Sequence, residues 1–389
     1  LPDVCVVVGG EGPTPEPGRI ASWYDLANVA FDTVPELQRA FPEELQWAAR
    51  GSALEERREG RSPLDEYEGV LKDALVLTEV AGAYDETHLF SVEQLETYAS
   101  CPFRFFTERV LGIAEIQVPT AEFDARVRGT ILHDALQRFH EHYRGVSIVD
   151  IDDTAAAAVL RDAVEAAFKE YAWQSRNAPP GVAAVECAQL QNRLQRYLSI
   201  ERALDNASWK PTHFEVSFGR APRESGDALN TGEPFVIETS EASLRLSGRI
   251  DRIDVRAGTQ NARIVDYKNK LRVSKSAIDR GQSLQLPLYA LALEELLLPA
   301  WTCEEALYIA PGYAAKGGRL EVLERESAKS KWAARREAAI GAAFRYATGI
   351  RNGHYPPLPV GEACKYCTSR RACRYEEWRM KAKDGVDNT

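Results

Sequence analysis

The sequence predicts an α/β chain: a mixed central sheet flanked by helices, with a helical insertion ahead of the sheet. Three observations lead there. At residue 212 the apolar spacing changes from a helical period to strict alternation. Three alternating runs follow, at 212–220, 243–255 and 262–270, and the connection 256–261 suits a hairpin between the last two. An apolar helical stretch, 282–298, then precedes a fourth strand at 305–310. Helix, three strands, helix, strand is the order of a sheet covered by helices.

Taken in order, "VCVVVGGEGPTPEPG" at the start reads as a strand and a Gly/Pro loop, without the Gly-Lys-Ser/Thr ending of a phosphate-binding loop. Residues 35–82 read as helical and acidic. The composition shifts across 83–91, which divides the chain into an acidic segment, 1–87, and a main domain, 88–389. Ser91 is the expected N-cap of the next helix, with Gln94 completing a capping box. "RVRGTILHDALQRFHEHYRG" (126–145) predicts an amphipathic helix whose apolar face carries Leu132, Leu136, Phe139 and Tyr143. Two more helices are expected at 154–176 and 183–205. In the 282–298 helix Pro287 is tolerable only near the first turn.

A chain of 389 residues, 44% hydrophobic and 27% charged, has the composition of a globular protein with a large core. No apolar run is long enough to span a bilayer, so no membrane partner is expected. Seven unevenly spaced cysteines and no visible signal peptide favour a reducing compartment, the cytoplasm. The first residue is Leu1 and the single methionine is Met380, which points to a piece of a larger polypeptide. A net charge of −10 argues against a nucleic-acid partner until its distribution is considered. Residues 1–90 hold 18 acidic and 7 basic side chains, a net of −11, and the remaining 299 residues are at +1.

The chemistry concentrates in "RIVDYKNK" (263–270), where Asp266 and Lys268 fall on one face of a strand. A surface salt bridge explains such a pair, and so does a metal-dependent site. Asp251, in "SGRIDRID", lies on the preceding strand, and antiparallel pairing would bring it beside Asp266. Neighbouring carboxylates repel unless a cation lies between them, and oxygen ligands suit magnesium or manganese. Lys268 would stabilise charge developing on a phosphate. His133 is either a third ligand or an ordinary helix histidine beside an apolar stripe.

"GTILH" (129–133), "GRID" (248–251), "DYK" (266–268) and "QLPLY" (285–289), in that order, resemble the motifs of RecB-type nucleases of the PD-(D/E)XK superfamily. The resemblance implies a restriction-endonuclease-like core and a Mg2+- or Mn2+-dependent deoxyribonuclease. It implies that His133, Asp251, Asp266 and the Tyr267 carbonyl hold the metal. It makes Lys268 the catalytic lysine, with Gln285 and Tyr289 on one helix face beside it and Glu215 as an acidic residue on the first core strand.

"CKYCTSRRAC" spaces Cys364, Cys367 and Cys373 as Cys-x2-Cys-x5-Cys, and "SCPFRFF" adds Cys101 far upstream. Spacing alone admits zinc or a 4Fe–4S cluster. One cysteine before the core and three after it resemble the iron–sulfur staple of AddB-type nucleases, which implies a structural 4Fe–4S cluster. Cys5, Cys187 and Cys303 show no partner pattern. Basic residues after Cys364, among them Arg370, Arg371 and Arg374, and a second set, Lys270, Arg272 and Lys275, are candidate DNA contacts or merely a solvated face. The AddB-like resemblance implies DNA as substrate, a helicase–nuclease partner subunit and a role in double-strand-break repair. The 1–87 segment would then be the end of a helicase-like region. The competing readings are a stand-alone single-strand exonuclease of CRISPR-adaptation or defence type and a non-catalytic DNA-binding scaffold.

Overall fold

The computed structural model describes residues 42–113, 123–175, 179–204, 209–221, 226–240, 242–312, 319–324, 331–365 and 367–383. The expected strand and loop at the start of the chain lie outside these residues. The described residues fall into two units: those up to Lys72 together with those from Arg370 on, and Asp73–Ser369.

The first unit contains helix α1 (Pro42–Glu59). Several of its polar groups pair within the unit. Asp65 and Glu68 form a reciprocal capping box, Arg57 Nε lies 2.7 Å from Asp65 Oδ2, and Lys383 Nζ lies 3.1 Å from Glu68 Oε1.

The second unit opens with α2 (Ala74–Ala83), β1 (Leu89–Ser91) and α3 (Val92–Ser100). The expected capping box forms: Gln94 N–H donates to Ser91 Oγ at 3.1 Å, and Ser91 N–H donates to Gln94 Oε1 at 2.8 Å. The helical insertion follows as α4 (Ala125–His142), α5 (Asp153–Tyr171) and α6 (Pro180–Leu204). On α4 the apolar face is buried through Leu132, Leu136 and Phe139, joined by Ile131 and Ala135, while Tyr143 packs at its edge as the C-cap. This stripe faces a core shared with α5, α6 and the strand carrying Val265 and Tyr267.

The sheet is built from β2 (Trp209–Phe218), β3 (Phe235–Glu238), β4 (Ser243–Arg256), β5 (Asn261–Tyr267), β6 (Thr302–Ile309) and β7 (Arg319–Glu324), with β1 added parallel to β4. Its main path runs β1-β4-β5-β6-β7. The long β4 pairs with β1 and β3 through its first half and with β2 and β5 through its second. Between β5 and β6 the pairing is parallel, and the crossover carries α7 (Gln285–Ala292). Pro287 stands in the first turn of α7, where a missing N–H costs nothing. Helix α8 (Trp332–Arg351) packs against α3 and α7.

The sheet is thus mixed and helix-flanked, as expected, with seven strands among the described residues where four were anticipated. β1 and β3 are three and four residues long, too short to show a period, and owe their pairing to β4. Strand β5 ends at Tyr267, short of the expected 270, although Lys268 N–H still donates to Ile309 O at 2.8 Å.

Candidate active site

Five elements bring the predicted residues to one place, β2 among them with Glu215. β4 and β5 are antiparallel, with Arg252 opposite Val265. Asp251 and Asp266 therefore stand at the end of the paired region, and Asp251 Oδ2 accepts the Tyr267 N–H at 2.8 Å. The third element, α4, supplies His133 from the rim of its apolar stripe, with Nδ1 3.4 Å from Asp251 Oδ2 and 3.9 Å from Glu215 Oε1. The donor atoms of His133, Glu215 and Asp251 lie within 4.8 Å of one another. The fourth element, α7, presents Gln285, whose Oε1 accepts from Lys268 Nζ at 2.7 Å. Lys268 Nζ is also 2.7 Å from Asp266 Oδ2.

Glu215 is aimed by a backbone distortion. It sits within β2 at φ 50°, in the left-handed region that a non-glycine residue seldom occupies. β2 also shifts register against β4 between Pro211 and His213. The chain after β2 folds back to hold both flanks, since Phe214 N–H donates to Asp227 Oδ2 at 3.2 Å and Ser217 N–H donates to Asn230 Oδ1 at 2.7 Å. Arg249, which no motif position singles out inside "GRID", pairs with Glu215 Oε2 at 2.8 Å through its Nε.

Gly248 is required by packing: a Cβ there would lie 2.5 Å from Tyr289 Cε1 and 2.7 Å from Phe218 Cζ. That close approach lets the Tyr289 hydroxyl accept the Arg249 N–H at 3.3 Å. Gly129 has no such constraint, since a Cβ there would have Asn269 Nδ2 as its nearest atom, at 3.5 Å.

The electrostatics fit a cation. Burial first, and the Asp251 carboxylate second, push both Glu215 and Asp266 up to about 7. Burial works the same way on Asp251, but the adjacent His133 holds it below its ordinary value. For His133, burial opposes the charge, and Asp251 followed by Glu215 overcomes it, raising the imidazole to about 9. Burial likewise opposes the Lys268 charge, while Asp266 and Asp251 raise its pKa, so the ammonium persists at neutral pH. The ionised Asp251 thus makes its two neighbours, Glu215 and Asp266, hold their protons more tightly, a repulsion that a cation would relieve, and carboxylate oxygens suit a hard divalent ion.

The sequence matches the PD-(D/E)XK nuclease superfamily over residues 89–374. The chain belongs to that superfamily. Among curated proteins it is similar to a subunit of the ATP-dependent helicase/deoxyribonuclease of Moorella thermoacetica, 32% identical over 215 residues that cover 54% of this chain and 18% of that protein. The corresponding protein of Acetivibrio thermocellus is 30% identical over 230 residues, 56% of this chain and 18% of the relative. That of Clostridium tetani is 29% identical over 217 residues, 52% and 17% respectively. The chain thus spans less than a fifth of these relatives.

In this PD-(D/E)XK chain three of the predicted cysteines approach one another in the second unit. Cys101 closes α3 and opens the short helix Pro102–Phe105. Two backbone bonds tie this junction to the segment leading to Cys364, from Phe103 N–H to Pro356 O at 3.2 Å and from Val360 N–H to Ser100 O at 2.9 Å. Cys367 N–H turns back on Cys364 O at 3.4 Å. Burial raises the Cys101 thiol to about 11, with a further contribution from Cys367 and Cys364. Cys373 belongs to the first unit, in the helix Arg370–Cys373.

Of the candidate DNA contacts, Lys270, Arg272 and Lys275 are exposed just beyond Lys268. Arg370 is exposed, and Arg374 NH1 is engaged 2.7 Å from Glu55 Oε1. The side chain of Arg371 lies outside the described residues. Arg379 and Lys383, from the same basic run, are buried in ion pairs with acidic residues of the first unit. No helix among the described residues is long and apolar enough to cross a membrane.

Proposed function

We propose that this chain is a metal-dependent deoxyribonuclease acting at DNA ends, the AddB-like nuclease part of a helicase–nuclease that serves double-strand-break repair. The observation that carries the reading is Lys268 Nζ, 2.7 Å from both Asp266 Oδ2 and Gln285 Oε1, close to the convergent His133, Glu215 and Asp251.

Asp251, Asp266 and His133 would hold magnesium or manganese with the Tyr267 carbonyl, and Glu215 adds a further oxygen. The bound ion would supply a Lewis acid for the scissile phosphate and acidify a water. The protein's own part is positional and electrostatic. Lys268, its charge maintained by Asp266, offers a fixed ammonium to the charge that develops on the phosphate oxygens. Gln285 fixes the direction of that ammonium, and Tyr289 braces the backbone beside Asp251. Arg249 steadies Glu215 and so restrains the strained turn of β2.

Lys270, Arg272 and Lys275, with Arg370, Arg371 and Arg374, are the proposed phosphate contacts. Cys101, Cys364, Cys367 and Cys373 are the proposed ligands of a structural 4Fe–4S cluster. Their spacing and the approach of the first three support it. The relatives named as subunits of an ATP-dependent helicase/deoxyribonuclease support a helicase-bearing partner subunit. Residues 1–87 would be the end of a helicase-like region, and the enzyme would work in the cytoplasm.

The test is cleavage of end-labelled linear DNA, single- and double-stranded, by anaerobically purified protein with magnesium or manganese. Lys268→Ala is expected to lower the rate about 100-fold or more while DNA is still bound. Cleavage that survives that substitution, or that survives chelation of the divalent ion, would sink the reading.

A further inference from the structure

Helix α7 begins badly by its own sequence. The residue at its N-cap is Leu284, whose side chain cannot accept a hydrogen bond, and no residue of the helix caps it. The first N–H groups of a helix need acceptors, and a buried start without them is costly. Here the acceptor comes from another helix. Glu96 of α3 directs a single oxygen, Oε1, at this end, accepting from Leu284 N–H at 2.7 Å, Gln285 N–H at 3.0 Å and Ser283 Oγ at 3.4 Å. Ser283 Oγ continues to the Tyr308 hydroxyl at 3.3 Å, and Lys268 Nζ lies 5.3 Å from the centre of the Tyr308 ring. Glu96 is an acidic residue on a helix face otherwise made of Val92, Leu95, Tyr98 and Ala99, all buried.

We infer that Glu96 is a positioning residue for the nuclease site: by capping α7 from α3 it fixes Gln285, and through Gln285 it fixes Lys268. The inference rests on the proposed catalytic role of Lys268. Gln285 is the first residue of α7, so its backbone is held on one side by Glu96 while its side chain holds Lys268 Nζ at 2.7 Å. First-turn residues fray when their N–H groups lose acceptors. Without Glu96 the Gln285 amide would sample orientations that leave Lys268 paired with Asp266 alone. A carboxylate at this helix start is also favoured by the helix dipole. Because all three bonds end on one oxygen, the amide oxygen of a glutamine can replace it, whereas alanine cannot.

The experiment uses the full chain, charged with magnesium, and four variants: Glu96→Ala, Glu96→Gln, Gln285→Ala and the double Glu96→Ala/Gln285→Ala. Glu96→Ala should lower kcat on linear DNA about tenfold or more, with KM changed by less than about threefold. Glu96→Gln should recover kcat to within about threefold of the parent. In the Gln285→Ala background, Glu96→Ala should cost less than about twofold further, because the two act as one unit. Amide hydrogen exchange at Leu284 and Gln285, read without DNA, should quicken in Glu96→Ala and not in Glu96→Gln. A Glu96→Ala protein with parental kcat would overturn the inference, as would a glutamine variant as impaired as the alanine one, or effects that simply add. Should Glu96→Ala fail to fold, the comparison of Glu96→Gln with the parent decides by kcat and exchange together. Lys268→Ala run alongside separates the failures: if it cleaves normally, the proposed site is wrong, and if it alone is inactive, only Glu96 is misassigned.

Discussion

Asp251 is the residue on which the site's charges converge. It faces His133 at 3.4 Å, accepts the Tyr267 N–H at 2.8 Å and is second only to burial in raising Asp266 and Glu215. Asparagine keeps the shape and an oxygen for Tyr267 but removes the charge a cation would meet. Magnesium at about 100 times its Kd should stabilise the parent by about 2.7 kcal/mol, a rise in Tm readable by calorimetry. Asp251→Asn is expected to abolish that rise while leaving the metal-free Tm close to the parent's. A variant that still gains stability from magnesium would remove Asp251 from the ligand set.

At the scale of elements, two polar assemblies hold the strands that carry the site. One is Asp227, which accepts from His213 Nδ1 at 2.9 Å, Phe214 N–H at 3.2 Å and Arg144 NH1 at 3.1 Å, clamping β2 just before Glu215. Burial would raise this carboxyl, but His213, the Leu229 N–H and Arg144 outweigh it and hold Asp227 well below the usual carboxylate range. Its folded pKa is therefore the lower one, and its contribution is complete above about pH 4 and lost as the pH falls further. Urea unfolding from pH 7 to pH 3 should show that loss, and Asp227→Asn should reduce it. The second assembly lies behind β4 and β5. Arg252, fully buried, donates to Glu201 Oε1 at 2.6 Å, Asp254 Oδ1 at 2.5 Å and the Tyr267 hydroxyl at 2.9 Å. Burial first, and Arg252 next, drive His140 down to about 3, so it stays neutral within this network. Arg252→Leu would leave Glu201 without its cation, at a cost of about 3–5 kcal/mol in chemical unfolding. A cost near zero would mean that the network contributes no stability.

For the whole molecule the question is what joins sequence ends that lie far apart. Cys101 stands before the insertion and strands β2 to β7, Cys364 and Cys367 after them, and backbone bonds already bring 100–103 against 356–360. A cluster on these thiolates would close a loop of more than 250 residues, the situation in which a cross-link restricts the unfolded chain most. Anaerobically purified protein is expected to carry about four irons and four acid-labile sulfides per chain, and Cys101→Ser to lose them and lower Tm. A single zinc in place of iron would correct the cluster's identity while keeping the site.

The fold class, the insertion helices and the motif order were legible in the sequence because each rests on local signals: the apolar period, the Ser91–Gln94 cap and the Gly-x-x-Asp and Asp-x-Lys spacings. Those spacings even indicated that Asp251 would meet Asp266, since a short connection leaves antiparallel strands little choice. The rest depends on contacts between residues distant in the chain. The cap supplied by Glu96 joins residues 188 and 189 positions apart, and Arg252 reaches Glu201 across 51. Neither leaves a period or a spacing to read; only an acidic residue on an apolar helix face and an arginine in an apolar strand hint at them. The left-handed turn at Glu215 is likewise invisible locally, because Asp227 and Asn230, beyond the end of the strand, hold it there. Sequence thus determined the candidate carboxylates, histidine and lysine of the site. The tertiary structure decided how they are held, because a buried polar group must find its partner wherever the fold brings one within reach.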